Sequence, residues 1–139
     1  SEGGKKVIKR VTYIAPEKEI AELFTKTNSR NTLTIAGLDI KKGYNPVNSQ
    51  TTVILDSQKL TSNNIKEYAQ QLAGTVPLKA VGNGEKQIYM ANLSNGQQII
   101  LRNISSSAAA TKARWTLEIK NNPSLKNISS KDKYEIKFR

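Results

Sequence analysis

The chain has no cysteine and no histidine, and only one tryptophan and one methionine, among its 139 residues. Without cysteine there are no disulfides and no thiolate metal sites. Without histidine, the usual acid/base group near neutral pH and the commonest metal ligand are both missing. Hydrophobic residues make up only 37%, so a core can form but is expected to be thin. No apolar run approaches the roughly 18 residues of a membrane span, and the opening SEGGKK lacks the apolar stretch of a signal peptide. Any chemistry must come from Lys, Arg, Tyr, Ser, Thr or a carboxylate. Asp39, Asp56 and Asp132 are too scattered to suggest a metal site, and no cofactor is expected.

What the chain does have is positive charge. Its 22 Lys and Arg against 11 Asp and Glu give a formal +11. Residues 1–61 carry +4 of this and residues 62–139 carry +7. Such an excess concentrates phosphate polymers or anionic lipid around a protein; the plain alternative is a solvated surface kept for solubility.

Local patterns predict an α+β domain. Residues 6–14 (KVIKRVTYI) read as a strand. Pro16 suits the first turn of a helix over 16–27, with Glu17 and Glu19 near its positive end and Ile20, Leu23, Phe24 and Thr27 at helical spacing. Residues 28–50 are polar, with turn signals at Gly37 and over Lys41–Pro46, and a short strand at Thr52–Asp56 follows. Asn64 and Glu67 form a capping-box pattern ahead of the stripe Ile65, Tyr68, Ala69 and Leu72, and Gly74 supplies the stop, so 64–73 is a helix. Alternating strands are predicted at 78–81, 87–93, 98–104, 114–120 and 133–138. Asn83-Gly84 marks one turn, and Asn95-Gly96 joins 87–93 to 98–104 through a type I′ turn. The architecture expected is one or two helices packed on a four- to five-stranded antiparallel sheet. Residues 1–60 form an N-terminal extension, and residues 61–139 form the core.

Period two sorts the strand faces. Trp115, Leu117 and Ile119 point one way, with Tyr134, Ile136 and Phe138, as an apolar seat for the helix. The opposite face displays Arg102, Arg114, Thr116, Glu118 and Lys137 beside the serine loop 105–107. This set suits phosphate chemistry without histidine. Arginine holds a phosphate with parallel hydrogen bonds and stabilises charge developing on phosphorus. Thr116 and Ser106 or Ser107 can donate to its oxygens, and Glu118 or a lysine of lowered pKa can take the proton of a ribose 2′-hydroxyl. Lys79, Lys112 and Lys137 are candidate substrate cations, and Tyr89 a candidate stacking ring. Against this stands the general rule that the open face of an antiparallel sheet is polar in any case. The lone Gly82-Asn83-Gly84 reads as a hairpin turn, Trp115 as core, and Ser105–Ala110 as a flexible loop that can gate a substrate.

The run YMANLSNGQQIILRNISSSAAATKARWTLEI (89–119) and the basic terminal strand KYEIKFR resemble the C-terminal ribonuclease domains of bacterial polymorphic toxins. Among these are the contact-dependent growth inhibition (CdiA-type) toxins of the barnase/EndoU/colicin/RelE-like fold. The likeness covers about residues 64–139. It implies metal-independent cleavage of RNA, most often tRNA, and delivery as the tail of a large exoprotein into the cytoplasm of a target bacterium. It also implies a cognate immunity protein over the site, which the charge of this chain suggests is acidic. Arg102, Ser106 or Ser107, Arg114 and Thr116 fall on the motif. The missing histidine puts the chain nearer the histidine-free, colicin-like branch. Two other classes remain: a non-catalytic RNA- or DNA-binding module using the same basic face, and a structural or adhesion fragment whose charge serves lipid or wall polymers.

Overall fold

The computed structural model describes residues 15–27 and 30–139; the strand expected at 6–14 lies outside them. Helix α1 (Pro16–Phe24) begins on its proline and buries Ile20, Leu23 and Phe24. It stops short of the expected Thr27 because the backbone is already extended at Thr25 (φ −80°, ψ 123°). Helix α2 (Ser62–Ala73) starts two residues earlier than its apolar stripe suggested. The capping box is Thr61 with Asn64, not Asn64 with Glu67: Asn64 N–H donates to Thr61 Oγ1 and Thr61 N–H to Asn64 Oδ1. Asn64 does the work that the sequence pattern assigns to glutamate at that position. The helix ends at Gly74, and Ile65, Tyr68, Ala69 and Leu72 form its buried face.

The sheet differs from the one expected. The chain forms a hairpin of β1 (Thr32–Ile35) and β2 (Leu38–Lys41), then β3 (Thr52–Leu55). After α2 come β4 (Lys79–Ala80), β5 (Ile88–Asn92) and β6 (Gln98–Arg102). The short helix α3 (Ala108–Thr111), β7 (Trp115–Lys120), the short helix α4 (Pro123–Lys126) and β8 (Lys133–Phe138) complete it. Six strands pair in the order β3-β8-β7-β6-β5-β4, and a bridge between Lys42 and Leu55 carries the β1–β2 hairpin onto the edge at β3. Every strand pair is antiparallel except β3–β8, which is parallel. The described residues therefore hold eight strands in mixed pairing and four helices, which overturns the expected four- to five-stranded antiparallel sheet with one or two helices. The reason is non-local. All four residues of β3 are buried, as a strand covered on both faces requires, but its sequence says nothing of which partner it takes or in which direction.

Two turns also differ. The 28–50 stretch, read as polar and irregular, holds the β1–β2 hairpin, whose buried side chains are Leu33, Ile35 and Ile40. Its two-residue turn has positive φ at both Ala36 (51°) and Gly37 (76°), the type I′ geometry expected elsewhere. At Asn95-Gly96 only the glycine is left-handed (φ 84°). There Gly96 N–H donates to Leu93 O and Leu93 N–H to Gln97 O, closing a three-residue loop. The hairpin β5–β6 forms as predicted, with a different turn. The Ser105–Ala110 loop carries α3, an element its composition did not announce.

One apolar cluster gathers Leu23 and Phe24 of α1 and the stripe of α2 over Leu55, Leu101, Leu117, Ile136 and Phe138. These side chains share one face of the sheet. The alternate positions of the same strands turn the other way.

Candidate functional site

On that second face, the strand register lines up two rows. Arg102 of β6 stands opposite Thr116 of β7, which stands opposite Lys137 of β8; one step along, Ile100, Glu118 and Glu135 form the next row. Arg102 spans both. Its Nη1 donates to Glu118 Oε1 at 3.0 Å and its Nη2 to Glu135 Oε2 at 2.8 Å. A guanidinium has five N–H groups, so two are engaged and three are left. Glu118 Oε2 has no protein partner among the described residues.

Lys137 lies deeper, at 2% exposure. Its Nζ donates to Ser105 Oγ at 2.8 Å and Thr116 Oγ1 at 3.2 Å, and lies 3.8 Å from Glu135 Oε1. Burial lowers the pKa of this ammonium; Glu135 opposes that shift, while Arg102 and Lys133 add to it. The 105–111 segment is tied to the sheet at one end by Ser105, on Lys137, and at the other by Thr111 O, which accepts from Arg139 Nε at 3.0 Å.

Of the residues picked from sequence, Arg102, Thr116, Glu118 and Lys137 come together. Ser107 joins through Ser105, their hydroxyl oxygens 3.1 Å apart. Arg114 does not. It shares the parity of Thr116 but lies just before β7, and its guanidinium donates to Ser57 O and, at 3.4 Å, to Arg139 O. Burial lowers its pKa; it ties the sheet end rather than facing a substrate. Tyr89 is on the helix face, 6.3 Å from Trp115 between ring centroids, with Lys66 Nζ 5.0 Å above its ring. Ser106 and Lys112 are exposed beside α3, Lys112 as its left-handed cap (φ 61°). Lys79 is exposed on the edge strand, opposite Met90. Two residues of the cluster were missed. Glu135 was legible from alternation, since it shares its face with Lys137. Ser105 was not distinguishable from its serine neighbours.

A concavity of about 670 Å³ between α1, β3 and the 127–129 turn contains no residue of this cluster. The chemistry-bearing groups share one sheet face, with Arg102 and Glu135 partly exposed and Thr116, Glu118 and Lys137 buried. Compared with known proteins, the chain matches no family model, no curated protein and no solved structure.

Proposed function

We propose that this chain is a ribonuclease domain that cleaves RNA by attack of a 2′-hydroxyl on the adjacent phosphate. The observation that carries the reading is the convergence on one sheet face of a carboxylate with one oxygen unengaged (Glu118), a guanidinium with donors to spare (Arg102) and a buried ammonium relayed through a hydroxyl (Lys137, Ser105). That face belongs to a chain of charge +11. Glu118 Oε2 takes the 2′-hydroxyl proton, the 2′-oxygen bonds to phosphorus, and the bond from phosphorus to O5′ breaks. The departing O5′ receives the Ser105 hydroxyl proton, which Lys137 replaces; its lowered pKa makes it the better acid. The spare N–H groups of Arg102 meet the charge that builds on the phosphate oxygens. The products are a 2′,3′-cyclic phosphate and a 5′-hydroxyl.

Transfer RNA as substrate, delivery into a target bacterium and restraint by an acidic immunity protein belong to the same proposal and rest on the resemblance of residues 64–139. The sheet implied by that resemblance is not the one found, so the weight falls on the Arg102, Glu118 and Lys137 cluster. Among the described residues no helix is long and apolar enough to cross a membrane. A second reading, a non-catalytic RNA- or DNA-binding module, draws on the +11 charge of the chain and does not need Glu118, which is buried, to reach a 2′-hydroxyl.

The test is incubation of the purified protein with total bacterial RNA in EDTA, followed by end mapping. Discrete fragments with cyclic phosphate ends are expected, and Glu118→Gln should lower the rate by roughly 10²–10⁴-fold while retaining RNA binding. RNA left intact by the wild-type protein, with and without cell extract, overturns the enzyme reading; retained binding in that case supports the module.

A further inference from the structure

Beside the charged cluster the open face changes character. Ile88 stands opposite Arg102, and Met90 opposite Ile100, which stands opposite Glu118. None of the three aliphatic side chains belongs to the apolar core, whose members on these strands are Ala91, Ile99 and Leu101. All three are partly exposed, at alternating positions where a water-facing sheet ordinarily carries polar residues. They form a continuous aliphatic patch beginning one strand away from Glu118, about 4.8 Å.

The rim of the patch is polar. Gln98 Nε2 donates to Asn92 Oδ1 at 2.8 Å and touches Met90 Sδ at 3.5 Å. That bond orients both amides and leaves Gln98 Oε1 as an acceptor and Asn92 Nδ2 as a donor without protein partners among the described residues. Lys79, across from Met90, adds a cation on the outer side.

We propose that Ile88, Met90 and Ile100 seat the base of the nucleotide whose 2′-hydroxyl attacks, while the Gln98–Asn92 pair reads its edge. The inference rests on the ribonuclease reading and deepens it. With the 2′-hydroxyl at Glu118 and the leaving nucleotide over Lys137 on β8, the attacking nucleotide's base must extend the other way, over β6 and β5. There a flat ring finds aliphatic contact on one face and a donor–acceptor pair at its edge, the means by which single-stranded RNA is read. This subsite selects the base that precedes the cut.

Met90 is the one methionine of the chain, so ¹³C-methyl-methionine labelling gives a single NMR signal at the seat. Titration with the four 3′-nucleoside monophosphates and with 2′-deoxy tetranucleotides, which cannot be cleaved, should shift that signal with a preference for one base. Inorganic phosphate alone should not shift it. Ile100→Ser should weaken the shift, raise KM for RNA roughly tenfold and relax the base distribution at the cut. A Met90 signal that stays still at saturating nucleotide, or moves equally with phosphate, overturns the seat. The two readings fail separately. RNA cut while Met90 is silent keeps the ribonuclease and removes the seat; a base-selective Met90 shift with RNA intact keeps the seat and removes the ribonuclease.

Discussion

Removing the Arg102 guanidinium leaves Glu118 and Glu135 directly opposite each other on neighbouring strands. Arg102→Ala breaks two charge-assisted hydrogen bonds, each worth roughly 1.5–3 kcal/mol when buried. The two carboxylates are 10% and 16% exposed, so solvent screens part of this and about 1 kcal/mol per bond is a fair figure. The repulsion of like charges facing across strands adds up to about 1 kcal/mol. The sum is about 3 kcal/mol at pH 7. With an unfolding entropy of about 2.1 cal/mol/K per residue, a chain of this length loses about 10 °C in Tm. Thermal melts of wild type, Arg102→Ala and the double variant Arg102→Ala/Glu118→Gln at pH 7 make the measurement; the double variant should recover roughly 1 kcal/mol of the loss. A loss below about 1 kcal/mol, or a double variant no more stable than Arg102→Ala, refutes the view that this arginine holds the two carboxylates together.

Arg114→Ala should cost about 1 kcal/mol of stability by removing its bonds to Ser57 O and Arg139 O, which keep Leu60 N–H and Ser57 Oγ as donors. Its cleavage rate per folded molecule should stay within about threefold of wild type, as urea titration and single-turnover assays can show; intact stability with lost cleavage contradicts that role. Ala36→Gly should stabilise the β1–β2 turn by about 0.5–1 kcal/mol, because the left-handed backbone there strains any side chain with a Cβ, and a fall in the urea midpoint refutes it. Burial lowers the Lys137 pKa from the ordinary 10.5. The folded state therefore releases this proton before the unfolded state does, and the cost of burying the charge is relieved as pH rises towards 10.5. Stability of the wild type relative to Lys137→Met should thus rise with pH in the window just below that value. A difference flat across urea titrations from pH 7 to 10 counts against the buried ammonium.

Much of the second half of the chain is legible without coordinates. The stripe Ile65, Tyr68, Ala69 and Leu72 announces α2, alternation announces β5 to β8, and a turn at Asn95-Gly96 closes a hairpin, though not of the type its residues suggest. The first half is less legible for specific reasons. The β1–β2 turn carries alanine where glycine, asparagine or aspartate normally signals positive φ, so the hairpin hides in a polar stretch. The capping box uses Asn64 as the back-donated acceptor in place of glutamate. At the site, parity found Arg102, Thr116, Glu118 and Lys137 and would have found Glu135, but parity cannot see that Arg114 falls past the end of β8 and turns to Ser57.

What local chemistry alone determined is the side of the sheet each residue occupies, the helix α2 and the strongly basic, cysteine- and histidine-free inventory from which any chemistry must be drawn. Each of these depends on neighbours a few positions away along the chain, or on composition. What only the tertiary structure decided is who stands beside whom: β3 running parallel to β8, Arg102 bridging Glu118 and Glu135, Ser105 capping Lys137, and the aliphatic patch beside them. Strand order and register are settled by how the whole apolar face closes over its helices. Alternation orients a side chain up or down, and packing supplies its neighbour.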